Sequence, residues 1–241
     1  MAAGALRDDC TGAPIGYHVP MPDPLPQPVE IETGAGPDAC VIWLHGLGAD
    51  GHDFEPVVPE LRLPARLRVR FVFPHAPVRR VTINMGMQMR AWYDILELGG
   101  GSEDEAGIRA SQKLLEGLLE RETSRGIVPR RIVVAGFSQG GAIALQTGLR
   151  YPVPLAGILA LSTYLPLAGT VAAERSAANR KVPILQAHGR FDDLIPLQRA
   201  VRTRDALLGM DYPLEWHEYP MAHAVCAEEI ADIAAWLPAV L

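Results

Sequence analysis

The hexapeptide Gly136-Phe137-Ser138-Gln139-Gly140-Gly141 constrains this chain more than any other stretch. An apolar run, Arg131-Ile132-Val133-Val134-Ala135, precedes it and reads as a buried strand. Ala142-Ile143-Ala144-Leu145-Gln146-Thr147 follows and reads as a helix. A serine flanked by glycines between strand and helix is the G-x-S-x-G elbow pattern. Such a turn is so sharp that side chains two residues either side of the serine would collide. Gly136 and Gly140 remove those side chains, and the Ser138 hydroxyl is left exposed at the carboxyl end of the strand. The helix N-terminus behind it offers free N–H groups to a developing negative charge. The competing reading is a glycine-rich strand-helix turn that holds a phosphate.

The surrounding sequence predicts a mostly parallel sheet with helices on both faces. Ala39-Cys40-Val41-Ile42-Trp43-Leu44 is a continuous apolar run and a central strand, ending in the glycine-rich His45-Gly46-Leu47-Gly48-Ala49-Asp50-Gly51. A helix is expected from Phe54 to Leu61 and a strand from Arg68 to Phe73. Val78 to Gly101 reads as a long irregular stretch, and long loops in compact domains usually serve function. Ser102, with Glu103, Asp104 and Glu105 behind it, predicts a capped helix start; Ile108, Leu115, Leu118 and Leu119 give that helix its apolar stripe. Further strands are expected at Ala156–Leu161, Val182–Ala187 and Leu214–Tyr219. Helices are expected at Leu197–Leu208 and around Ile230, Ile233 and Leu237. Strands alternating with helices give an α/β class.

Residues 1–30 are rich in proline and glycine, with Pro20, Pro22, Pro24, Pro26 and Pro28 in one run, and read as an extended arm. Residues 31–241 read as one domain with a full-sized core. The net charge of -6, with scattered arginines, disfavours nucleic acid as partner. Cys10, Cys40 and Cys226 are odd in number and widely spaced, which suggests neither disulfides nor a metal site and fits the reducing cytoplasm. Arg7, Asp8 and Asp9 interrupt the place where a signal peptide would be apolar. Tyr151 to Ala173 carries no charge, but Pro152, Pro154 and Pro166 argue against a spanning helix; a buried strand running into an apolar loop fits better. No stable membrane insertion is expected.

Catalytic groups in such sheets gather at the carboxyl ends of strands. His188-Gly189-Arg190-Phe191-Asp192-Asp193 and Tyr219-Pro220-Met221-Ala222-His223 follow two late strands. Ser138, Asp192 and His223 therefore stand as nucleophile, acid and base in the chain order of α/β-hydrolases. Asp193 competes with Asp192, and His217 with His223, although His217 lies inside an alternating strand. His45, His75 and His188 read as structural. The backbone N–H groups of Leu47 and Gln139 are the expected oxyanion hole. The Rossmann glycine spacing is absent and no lysine follows the glycines as in a P-loop, which weakens the phosphate reading.

Taken together, His45-Gly46-Leu47-Gly48, Phe73-Pro74-His75-Ala76-Pro77, Trp92-Tyr93-Asp94-Ile95, Gly136 to Gly141, His188-Gly189 with Asp192, and Tyr219 to His223 resemble the carboxylesterase/acyl-protein thioesterase/lysophospholipase family of α/β-hydrolases. Ala39 to Leu44 and Ala160-Leu161-Ser162-Thr163-Tyr164 look most similar to its bacterial carboxylesterases. The resemblance runs from about residue 38 to the C-terminus. It implies a compact serine hydrolase with no large cap domain and with no metal or organic cofactor. Ser138, Asp192 and His223 fall on the family's triad positions. The implied substrate is a small ester or a lipid-like acyl compound, bound in an apolar groove near the serine; Trp92 and Leu165 are the candidate lining residues. A short- to medium-chain carboxylic ester is the first expectation, with lysophospholipid or acyl-protein thioester as the alternative. A catalytically silent binding protein on the same fold stands as a reading of another class. Monomer and homodimer both stay open.

Overall fold

The computed structural model describes Met1 and residues 26–97 and 101–241. Most of the proline-rich arm, and the end of the stretch from Val78 to Gly101, thus lie outside the described residues. A seven-stranded sheet organises the rest, in the order β1-β3-β2-β6-β7-β8-β9. Its strands are β1 (Val29–Glu32), β2 (Ala39–Leu44), β3 (Val69–Phe73), β6 (Ile132–Phe137), β7 (Gly157–Leu161), β8 (Ile184–Gly189) and β9 (Leu214–Tyr219). All pairings are parallel except that of the edge strand β1 with β3, where Val29 faces Phe73.

The continuous apolar runs become the strands buried on both faces. In β2 the strand period of two sends Cys40, Ile42 and Leu44 to one side, and Ala39, Val41 and Trp43 to the other. The first side is covered by α2 (Glu105–Ser124) and α3 (Gln139–Arg150), through Ile108, Leu115, Leu119, Ile143 and Leu145; α4 (Ala168–Glu174) adds Val171, and α5 (Leu197–Gly209) adds Leu207. The second is covered by α1 (Val57–Glu60) and α6 (Ala227–Val240), through Val58, Ile233, Trp236 and Leu237. No described helix is long and apolar enough to cross a membrane. The uncharged stretch after Tyr151 is β7, a buried loop and the start of α4.

Four local expectations need correction. Val78 to Gly101 is not irregular throughout, because β4 (Val78–Val81) and β5 (Met87–Arg90) form an antiparallel hairpin with Val78 facing Arg90. Both strands are short and largely exposed, so burial stamps no alternation on them. The helix after β2 shrinks to one turn at Val57–Glu60, in a segment that carries Pro56 and Pro59. The cap of α2 is Asp104, whose Oδ1 accepts from the Gly107 N–H at 2.9 Å; Ser102 lies outside the helix. Finally, β8 starts after Pro183 and extends through His188 and Gly189, which pair with Glu218 and Tyr219.

Val29 and Glu30, placed in the arm by composition, belong to β1. Charge holds this edge: Glu30 takes both Arg125 Nη atoms at 2.9 Å, and Glu32 takes Arg70 Nε at 2.9 Å.

Glu229 in the first turn of α6 is fully buried, and neither carboxyl oxygen has a hydrogen-bond partner among the described residues. Burial, with the charge of Asp232 added, outweighs the nearby Cys226 backbone N–H and pushes its pKa from 4.5 up to about 8. Above pH 4.5 the unfolded chain releases this proton, while the folded chain keeps it until about pH 8. Stability should therefore fall across that window, by up to about 5 kcal/mol. Glu229→Gln removes the ionisable group at the same volume. Its melting temperature should match wild type near pH 4.5 and exceed it by roughly 10 °C near pH 9. Thermal unfolding of both proteins at the two pH values checks this, and an equal gap at both would refute it.

Candidate active site

Ser138 sits between β6 and α3 with φ 54° and ψ -120°, a strained backbone for a residue with a side chain. The turn is pinned on both sides. The Ser138 N–H donates to Leu161 O at 2.9 Å, and its carbonyl accepts from the Thr163 hydroxyl at 2.6 Å and from the Ala142 N–H at 3.1 Å. The flanking glycines are steric necessities. A Cβ on Gly136 would lie 2.3 Å from the backbone of Gly140, and one on Gly140 would lie 2.3 Å from Leu44 O. The close approach of β6, α3 and the end of β2 thus depends on both.

The loop after β8 carries Asp192 and the loop after β9 carries His223. His223 Nδ1 lies 2.7 Å from Asp192 Oδ2. The other carboxylate oxygen accepts the N–H groups of Leu194 at 3.0 Å and Ile195 at 2.8 Å. Burial raises the pKa of Asp192, but the bonds from His223 and Ile195 outweigh it and hold the carboxyl below its ordinary range. The competitors are elsewhere. Asp193 is exposed, and His217 pairs with Glu215 at 2.7 Å and Asp232 at 3.3 Å. The His223 ring packs on Phe137, with centroids 4.7 Å apart, beside the serine.

Leu47 and Gln139 stand on the same rim, and neither backbone N–H has a protein acceptor among the described residues. Their supports are buried. His45 Nδ1–H donates to Gly46 O at 2.7 Å, and its Nε2 accepts the Ala76 N–H at 3.0 Å. That arrangement needs a neutral ring, and burial pulls the pKa of His45 down to about 4. His75 Nδ1 accepts the Gly51 N–H at 3.0 Å and steadies the next turn.

Ser138, His223, Leu47 and Gln139 all line one cavity of about 470 Å³. Ile83, Tyr93, Ile95, Leu194 and Ile195 supply its apolar wall, with Arg199 and Tyr164 stacked at one side, 3.3 Å from guanidinium carbon to ring centroid. Trp92 and Leu165, expected to line a groove, do not line this cavity. Trp92 is 1% exposed, and its indole N–H donates to His45 O at 2.9 Å. The Leu165 N–H is held by the Thr203 hydroxyl at 2.8 Å, and its side chain is in the core. Their chain neighbours Tyr93 and Tyr164 face the cavity instead, joined hydroxyl to hydroxyl at 2.7 Å. Sequence reasoning also missed the side chain of Gln139. Its Oε1 accepts the Trp92 N–H and its Nε2 donates to Tyr93 O, both at 2.7 Å. A glutamine next to the candidate nucleophile Ser138 is visible in the sequence, but its partners come from a loop 46 and 47 positions away.

Comparisons with known proteins identify the family and the fold. The family model described as phospholipase/carboxylesterase matches residues 27–241. An acyl-protein thioesterase 1 of Mycosarcoma maydis is 42% identical over 225 residues, covering 87% of this chain and 94% of the relative. One of Gibberella zeae is 41% identical over 209 residues, covering 83% and 89%. Among solved structures, Arabidopsis thaliana SOBER1 superposes with a TM-score of 0.80 at 29% identity, over 84% of this chain and 98% of that one. Zea mays acyl-protein thioesterase 2 gives 0.78 at 28% identity, over 89% and 98%. With a sheet of this order and a match that spans every described strand, the chain belongs to the phospholipase/carboxylesterase family of α/β-hydrolases.

Proposed function

We propose that the chain is a serine hydrolase of acyl thioesters and carboxylic esters, with Ser138 as nucleophile, His223 as base and Asp192 as the group that orients it. The observation that carries the reading is the 2.7 Å bond between His223 Nδ1 and Asp192 Oδ2. It leaves His223 Nε2 as the ring's basic nitrogen, and His223 and Ser138 line the same cavity. Ser138 attacks the acyl carbonyl and gives its proton to His223 Nε2. The carbonyl oxygen takes the negative charge and accepts from the N–H groups of Leu47 and Gln139, each worth roughly 3 kcal/mol. As the tetrahedral adduct collapses, His223 hands its proton to the departing thiol or alcohol. Water then attacks the acyl-serine by the same route, releasing the acid and restoring the hydroxyl.

The relatives named acyl-protein thioesterase support thioesters of acylated proteins as the leading substrate class. Short- to medium-chain carboxylic esters are the second reading, favoured by the likeness to the crystal structure of esterase PE8 at 25% identity and TM-score 0.74. A fluorophosphonate probe should label the protein at Ser138, and peptide mapping locates the adduct. Folded protein that stays unlabelled would remove the enzyme reading and leave a binding role. An S-acylated cysteine peptide set against matched p-nitrophenyl esters ranks the two substrate classes by kcat/KM.

A further inference from the structure

His188, near the end of β8, is fully buried and has no role in the scheme above. Its Nε2 lies 2.8 Å from Ile195 O and 3.4 Å from Asp192 Oδ2. Two oxygens facing one ring nitrogen require a proton on it, so the ring is the Nε2–H tautomer. Nδ1 is buried without a partner among the described residues. A second proton there would have no acceptor, and burial lowers the pKa of the ring despite the charge of Asp192. His188 is a neutral, fixed donor.

That donor completes the surroundings of Asp192. Oδ1 holds two backbone N–H groups, while Oδ2 holds His223 and also faces His188. We infer that His188 is a positioning residue: its Nε2–H clamps the 192–195 turn through Ile195 O and shares Asp192 Oδ2 with His223, so it sets both the direction and the strength of the carboxylate's hold on the base. The inference rests on the serine-hydrolase reading. The charged or titratable groups that bear on His188 are Asp192, His223 and, across the strand pair, Glu218. Glu218 is engaged by Trp216 Nε1 at 3.0 Å and Arg190 Nε at 3.4 Å. Without His188, Oδ2 answers to His223 alone and favours its imidazolium more strongly. The base then needs a higher pH to become free.

The test is kcat/KM against pH on one ester, from about pH 5 to pH 9. His188→Leu should move the acid limb upward by about half a unit or more, so that kcat/KM on that limb falls about threefold or more while the plateau changes little. His188→Gln, whose amide can return an N–H to Ile195 O, should restore the limb. A parallel loss at every pH in both variants, or no loss in either, overturns the inference. If the leucine variant fails to fold, nitrogen NMR of the wild type decides. A proton on Nε2 of His188 with no titration over that range supports the inference; a proton on Nδ1, or a titrating ring, overturns it. The NMR result does not depend on Ser138. Failure of probe labelling therefore sinks the hydrolase reading without being mistaken for failure at His188.

Discussion

Ser138→Ala should lower kcat/KM for ester and thioester substrates by about a million-fold, the scale seen when a triad nucleophile is removed. It should also abolish fluorophosphonate labelling while leaving the fold intact. The backbone of this turn is held by Leu161 O, Thr163 and Ala142, none of which touches the Ser138 hydroxyl, so the alanine protein keeps the elbow. A small residual rate over water should survive, because the N–H groups of Leu47 and Gln139 stay in place. Burst kinetics and labelling on matched wild-type and variant protein provide the measurement. A variant that turns over within a factor of about ten of wild type would show that another group does the chemistry.

Asp192→Asn should cost about ten thousand-fold in kcat. The size follows from a forced amide orientation. Two backbone N–H groups, from Leu194 and Ile195, point at Oδ1, so the amide oxygen of asparagine must sit there. Its NH₂ then occupies the place of Oδ2 and donates toward His223 Nδ1. The imidazole must accept at Nδ1, its proton moves to Nε2, and the ring faces Ser138 as a donor instead of a base. Turnover measured across pH, with the tautomer of residue 223 read by nitrogen NMR, checks both halves of this account. Near-normal turnover, or an unchanged tautomer in a slow variant, would contradict it.

What the sequence made legible follows from which signals are local. The β2 and β6 runs are apolar on every residue because both faces are covered, and such runs can be read directly. The elbow is legible because its glycines answer to atoms only a few residues or one strand away. The hairpin β4-β5 was not legible, since a pair of short exposed strands carries no burial pattern. The expected cap on α2 fell two residues early because four cap-competent or acidic residues stand in a row, and only the bond to Gly107 selects Asp104. Trp92 and Leu165 were each one position from the residue that lines the cavity. Composition marks the aromatic stretch, whereas the facing of a loop side chain is set by distant partners, here Gln139 and His45.

The path from Gln139 through Trp92 to His45 has a consequence for how selectivity can arise. One indole-bearing residue is gripped at its amide by the helix behind the serine and at its ring by the loop after β2. The two segments whose N–H groups are proposed to receive the negative charge are therefore braced against each other. With that brace fixed by Trp92, substitutions at the cavity wall, such as Ile83, Ile95 or Leu194, alter what the cavity admits without touching it.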